Sequence, residues 1–238
     1  MSSLRNVFRR SWSCDEKLEG KVVVITGANT GIGKETAIDL AKRGVAILHS
    51  HDVGIIVVQH VAKVIFPPPP GHFLLTYLLL DLIKKSAPAR IINVSSMAHS
   101  WGSINLEDLN SEKHYDKNKA YAQSKLANVL FTRSLAKRLE GTGVTTYSLH
   151  PGVVQTELWR HLNGVQQFFM KMVSPFTKNS VQGAQTTIYC AVDPSLEKES
   201  GGYYSDCAPA NCSAAAKDDN VGEKLWELSC SLLSLTWD

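Results

Sequence analysis

The sequence predicts an α/β fold, a doubly wound parallel sheet in one domain, and three observations carry that reading. Short β-branched runs alternate along the chain with longer stretches of helical periodicity. The first run, Lys21–Thr26 (KVVVIT), ends in glycines that open directly into a helical stretch. The 238 residues, 44% hydrophobic and 20% charged, suit a single core of good size.

The elements follow in order. Lys21–Thr26 shows no polar alternation, so it reads as a parallel strand buried on both faces. Gly33 leads into KETAIDLAKRG, with apolar residues at helical spacing and Gly44 as the stop signal. Strand, glycine turn and helix together open a Rossmann-like unit. Residues 45–70 are irregular: one or two strand-like runs precede four prolines, Pro67 to Pro70, which read as a stiff extended connector or, alternatively, an SH3-type ligand. Either Gly54–Phe66 supplies a strand or the sheet has a gap between residues 44 and 71. Residues 71–85 form an apolar helix, Arg90–Ser95 a buried strand, and 119–140 a long helix. Val144–Leu149 is the next strand, closed by His150-Pro151-Gly152. Gln182–Val192 reads as helix, Gly201–Ser205 as a short last strand, and Lys217–Leu235 as a terminal helix packing Trp226 and Leu233.

Residues 1–19 read as a basic N-terminal tail ahead of a domain spanning 20–238. The first fourteen residues carry Arg5, Arg9 and Arg10 and no acid. A frayed tail, a surface touching anionic lipid and a mitochondrial presequence all fit. A net charge of +3 with dispersed basic residues argues against a nucleic-acid partner. No apolar run reaches the ~20 residues of a membrane span. The location is therefore read as intracellular, cytoplasmic or peripheral on an endoplasmic reticulum or mitochondrial membrane. Five cysteines lack metal-ligand spacing, so no metal is expected and the thiols read as reduced.

The candidate chemistry lies at four points. Gly27, Ala28, Asn29, Thr30, Gly31, Ile32 and Gly33 form a turn whose glycines admit a pyrophosphate to the N–H groups of the following helix. Ser96, with Ser95 as competitor, ends the strand before a crevice and would hydrogen-bond a carbonyl oxygen. Tyr121 and Lys125, four apart on one helix face, pair a phenol with an ammonium that favours the phenolate. Tyr121 would then move a proton at that oxygen, and Lys125 would bind the ribose of a nicotinamide cofactor. Pro151, Gly152 and Thr156 would form a turn against the nicotinamide.

This ordered set resembles the short-chain dehydrogenase/reductase family over most of residues 20–238. GKVVVITGANTGIGKETA, GHFLLTYLLLDLIKKSAPARIINVSSMAH, AYAQSKLANVLFTRSLAKRLEGTGVTTYSLHPGVV and GAQTTIYCAV are similar to its vertebrate retinol dehydrogenase group, around members 11, 12 and 13. The resemblance implies catalytic Ser96, Tyr121 and Lys125. It implies NADP(H), with NAD(H) as the alternative because His51 and Asp52 stand where the relatives place an arginine. It also implies a small lipophilic alcohol or aldehyde such as retinol or retinal, and a homo-oligomer through the Tyr121 helix. Leu158–Phe176 reads as packed helix, or as a greasy lid touching substrate or a membrane surface. The chain departs from the family in two respects. The family's N-N-A-G strand end is absent and its catalytic asparagine position falls on Pro68; about sixty residues, roughly two β-α units, are missing before Tyr121. Two readings stay open: an active oxidoreductase, or a shortened relative that binds nucleotide or a subunit without turnover.

Overall fold

The structure is a computed structural model and describes residues 12–45, 54–59, 70–154 and 177–237. Six strands form one sheet: β1 (Lys21–Ile25), β2 (Gly54–Gln59), β3 (Ala89–Val94), β4 (Val144–His150), β5 (Gly202–Ser205) and β6 (Ala208–Pro209). Their spatial order is the order of the sequence, parallel through β5, with β6 antiparallel at the far edge. Among the described residues five helices of eight or more residues accompany it: α1 (Gly31–Lys42), α2 (Pro70–Lys85), α3 (Lys117–Arg138), α4 (Ser180–Val192) and α5 (Asp219–Leu233).

β2 answers the alternative left by the sequence. Gly54–Gln59 pairs with β1 on one side and β3 on the other, so the strand of the glycine turn and the strand of the serines belong to one sheet. Its side chains from Ile56 to Gln59 are all buried.

Side-chain alternation sends the apolar residues to two cores. Ile56, Val58, Ile92, Val94, Tyr147 and Leu149 face α1 and α4, meeting Leu40 and Ile188. Val57, Ile91 and Val144 face the other way, onto Phe73 of α2, Phe131 and Leu135 of α3 and Trp226 of α5. The sheet is thus covered on both faces, as expected. Its strand order never reverses, however. All four parallel crossovers advance in one direction, yet two place their helix on one face and two on the other. Handedness follows from advance and face, so one pair is of opposite hand to the other, against the strong right-handed rule.

The same layout corrects the reading of Lys21–Thr26 as a fully buried strand. All five residues of β1 are only half-buried, because β1 is an edge strand with no neighbour beyond it among the described residues. Residues 12–19, placed with the basic tail by the sequence, pack on the domain. Trp12 donates to Asp193 at 2.8 Å and meets Tyr189 edge-on, Leu18 is 4% exposed, and Arg43, the residue that follows α1, donates to the carbonyls of Cys14 and Glu16.

Local signals account for the helix boundaries. Asp116 caps α3 by accepting from the N–H groups of Asn118 and Lys119. Asn179 and Gln182 form a reciprocal capping box on α4. Gly44 follows α1 with φ of +87°. The five cysteines are free thiols. No helix among the described residues is long and apolar enough to cross a membrane.

The terminal helix is held by an aromatic cluster. Trp226 lies 4.8 Å from Phe73, 5.7 Å from Phe131 and 4.6 Å from Trp237, centroid to centroid, with the Arg138 guanidinium 4.0 Å above its ring. Trp226→Ala should therefore cost about 3–5 kcal/mol. Urea unfolding followed by circular dichroism measures it, and a loss under about 1 kcal/mol would contradict this packing.

Candidate active site

Parallel strands deliver their following loops to one edge of the sheet. The turns after β1, β3 and β4 begin at Thr26, Ser95 and Pro151, and the register Ile25↔Val58, Gln59↔Asn93 and Val94↔Leu149 brings those strand ends level. This carboxyl edge is where open α/β sheets place ligands.

The glycine turn is built from close backbone approach. A Cβ on Gly33 would lie 2.2 Å from the Gly27 carbonyl oxygen, so only hydrogen fits there. Gly27 and Gly31 have φ of +66° and +56°, in the left-handed region. Thr30 precedes α1 but offers its N–H groups no side-chain cap; the first intrahelical bond runs from Lys34 N–H to the Thr30 carbonyl. The N–H groups at the start of α1 thus carry no capping side chain, in a cradle lined by glycine. A phosphate fits that donor set by charge and by space.

Two of the predicted segments meet at α4. A Cβ on Gly183 would lie 2.6 Å from Val154 Cγ2 and 3.2 Å from Ile32 Cγ1, so the glycine turn and the loop after Pro151-Gly152 press on the same point of one helix. Gly152 has φ of +93°, and the Lys178 side chain fills the space where its Cβ would stand. Lys178 pairs with Asp206 at 2.5 Å and donates its backbone N–H to Val153. His150 accepts from the N–H of Met97 at 3.2 Å, tying the β4 loop to the β3 loop. Burial, then the Lys178 ammonium, lowers His150 to about 4. The sequence reading gave no role to His150, Lys178 or Asp206; positions so far apart along the chain leave no local signal.

The serine pair separates as strand alternation requires. Ser95 is buried and donates to the Lys125 carbonyl at 2.7 Å. Ser96 is half-buried, and its Oγ accepts from the Ala98 N–H at the head of a 3-10 turn, Met97–Trp101. His99 fixes this turn from below. Its Nε2 accepts from the Ser213 N–H, so Nδ1 carries the hydrogen and donates to the Ser96 carbonyl at 2.7 Å. The spacing Ser96 to His99 was visible in the sequence, but the long-range partner was not.

Tyr121 and Lys125 lie on the first turns of α3. Tyr121 is half-buried, with the Lys125 Nζ 5.5 Å from its ring centroid. Lys125 itself is 3% exposed, and its ammonium donates to the Val94 carbonyl at 3.2 Å. Burial brings it down to about 8. Ser96 and Tyr121 share no direct hydrogen bond among the described residues; Lys125 joins α3 to the end of β3 through Val94 and Ser95. Thr156, His51, Asp52, Pro68 and Leu158–Phe176 lie outside the described residues. No metal-binding cluster occurs among the described residues.

Comparison with known proteins gives the family. Residues 58–167 match the family model for short chain dehydrogenase. Human retinol dehydrogenase 12 is 42% identical, with 93% of this chain and 89% of that protein covered. Human retinol dehydrogenase 11 is 41% identical over the same share of this chain and 88% of its own. The first alignment runs over 282 positions while taking in 93% of 238 residues, about 221, so about sixty positions have no residue here. Among solved structures, an uncharacterized protein from Mycobacterium Paratuberculosis superimposes with a TM-score of 0.66 at 26% identity, over 94% of this chain and 97% of that one. A 7α-hydroxysteroid dehydrogenase complexed with NADH and 7-oxo glycochenodeoxycholic acid shares the fold, with a TM-score of 0.55 at 18% identity, over 81% and 95%.

Two substitutions test the geometry. Gly33→Ala forces a methyl against the Gly27 carbonyl and should cost about 1–3 kcal/mol in a denaturant titration, with no loss if the turn can open freely. Lys125→Met removes a buried charge. The folded Lys125 titrates near 8 and the unfolded one near 10.5, so between these values the unfolded chain binds more protons and wild-type stability rises with pH. Lys125→Met should thus melt higher than wild type at pH 7, and the difference should close as pH rises from 8 to 10.5. A difference that widened over that window would contradict the burial. By its fold, its glycine turn and its relatives, the chain belongs to the short-chain dehydrogenase/reductase family, on the retinol dehydrogenase branch.

Proposed function

We propose that the chain is an NADP(H)-dependent oxidoreductase that interconverts a lipophilic alcohol and its aldehyde, retinol and retinal or a close analogue. One observation carries the proposal: a glycine cradle, a serine and a Tyr-Lys helix pair sit on loops and a helix gathered at one carboxyl edge of the sheet. The relatives' names supply the substrate class, and the NADH and NADPH held by structures of the same fold supply the cofactor class. The choice of NADP over NAD rests on the retinol dehydrogenase resemblance.

Gly27 to Gly33 would hold the cofactor's pyrophosphate on the N-terminus of α1, with Ala28, Asn29, Thr30 and Ile32 shaping the turn. Pro151, Gly152 and Thr156 would border the nicotinamide. When bound, the nicotinamide supplies hydride acceptance or donation. Ser96 Oγ would donate a hydrogen bond to the substrate oxygen. The Tyr121 hydroxyl would give that oxygen a proton in reduction and take one in oxidation. The Lys125 ammonium would bind the ribose once freed from the Val94 carbonyl.

Tyr121→Phe should lower aldehyde-dependent NADPH oxidation by about 10²–10⁴-fold. The thermal shift produced by NADPH should survive, because the substitution leaves the glycine turn, Lys125 and the Pro151 loop in place to bind the native state. Turnover that persists in Tyr121→Phe would remove the mechanism. Cofactor binding without turnover in wild type would replace it with a nucleotide-binding role. A larger thermal shift with NADH than with NADPH would reverse the cofactor choice.

A further inference from the structure

The open edge of β1 carries an orderly set of unused backbone groups. Thr26 N–H donates to the Val58 carbonyl at 3.0 Å, so Thr26 faces β2. Successive strand residues point their peptide groups to opposite sides. Val22 and Val24 therefore bond to β2, while Lys21, Val23 and Ile25 face away from it. The Lys21 N–H turns back to the Leu18 carbonyl at 3.0 Å. That leaves the N–H groups of Val23 and Ile25, and the carbonyls of Lys21, Val23 and Ile25, turned away from β2 with no backbone partner among the described residues.

Natural edge strands are blunted by proline, by inward charge, by a bulge or by a covering element. β1 has none of these among the described residues. Its sequence is Lys-Val-Val-Val-Ile, its register with β2 is unbroken, and Lys21 at its start is its one charge. The retinol dehydrogenase 12 alignment holds about sixty positions with no residue in this chain, and its run of β-branched residues is that of an interior strand.

We propose that β1 pairs with β1 of a second copy, antiparallel about a two-fold axis through Val23, continuing one sheet into the other. The donors and acceptors are self-complementary in that register. The two Val23 residues would exchange two N–H to O=C bonds. Each Ile25 N–H would meet the partner copy's Lys21 carbonyl, adding two more. The Lys21 N–H, already committed to Leu18, is not required. A second copy is the occupant that brings an identical five-residue edge of matching length and opposite direction. The eight residues between Val45 and Gly54 are the rival within the chain. The residues flanking them sit at the start of β1, where Val45 bridges Glu19 and Gly54 pairs with Lys21.

Sedimentation velocity of the full chain across a concentration series tests this, together with hydrogen exchange of the β1 amides. Wild type should be a dimer whose Val23 and Ile25 amides exchange at least roughly tenfold more slowly as dimer forms. Val23→Pro removes an outward N–H and leaves the bonds to β2 intact, so it should be monomeric with unchanged circular dichroism. Leu78 and Leu82, 68% and 54% exposed on α2, mark the competing apolar surface, and Leu78→Glu with Leu82→Glu should leave the dimer intact. A monomer at every concentration overturns the proposal. So does a dimer that Val23→Pro leaves unchanged, or one that the α2 substitutions abolish. Val23 and Ile25 amides protected equally at all concentrations would show the chain's own residues 46–53 on the edge, and would also overturn it.

Discussion

Between the strand that feeds the glycine turn and the strand that feeds the serine pair there is room for one chain, and Gly54–Gln59 takes it. Five backbone pairs join it to β1 and four join it to β3, and no other pairing connects those two strands among the described residues. Val57 and Val58 send their side chains to opposite cores, both fully buried, so the strand is also where the two apolar layers are held at a fixed separation. The glycine turn, the Ser96 turn and the β4 loop can converge only because this strand keeps their parent strands in one sheet. A gap would have exposed peptide groups along both neighbours, at about 1–3 kcal/mol for each one left buried and unsatisfied. That loss would rival the whole net stability of a domain, about 5–15 kcal/mol.

At the carboxyl end of the same strands the interior turns polar. Gln59 donates to Thr76, Asn93 donates to Thr132, and Asn128 and Lys125 both donate to the Val94 carbonyl. Ser95 returns a bond to the Lys125 carbonyl. These contacts are directional where apolar packing is not, and they set the rotation of α3 against the sheet. Tyr121, one turn before Lys125, is oriented by that setting. The buried ammonium is costly, as its lowering to about 8 shows, and the carboxamide oxygens of Gln59 and Asn93 find no partner among the described residues. Polar groups held at such cost beside a Tyr-Lys pair support the site proposed above.

What could be read from the sequence divides along the range of the interactions involved. α3 and α4, read as helices over 119–140 and Gln182–Val192, form close to those bounds, and each is opened by a local cap, Asp116 and Asn179. The alternation in RIINVSS foretold that Ser95 and Ser96 would face opposite ways, and they do. β2 was ambiguous because GIIVVQ is an apolar run whose role depends on neighbours more than thirty residues away in both directions. The half-exposure of β1 was misread for a related reason. Its valines suit a strand covered on both faces, and whether a further strand lies alongside is not encoded in the strand itself. Lys178, Asp206 and His150 were invisible because only the fold brings them to Gly152.

The strand order and the open edge have one origin. A doubly wound sheet normally grows from its first strand in both directions, and the reversal lets right-handed crossovers place helices on both faces. Here growth is in one direction only, so helices on both faces require crossovers of both hands. α1 and α4 stay on one face because Leu40 and Ile188 share a core with Ile56, Val58 and Tyr147, while α2, α3 and α5 share the other through Phe73, Phe131 and Trp226. Side-chain packing has therefore fixed which face each helix covers and overridden the usual preference for hand. The helices keep the faces that a sheet extended beyond β1 would give them, and β1 keeps the side chains of an interior strand. The peptide groups that β1 turns away from β2 have no backbone partner among the described residues.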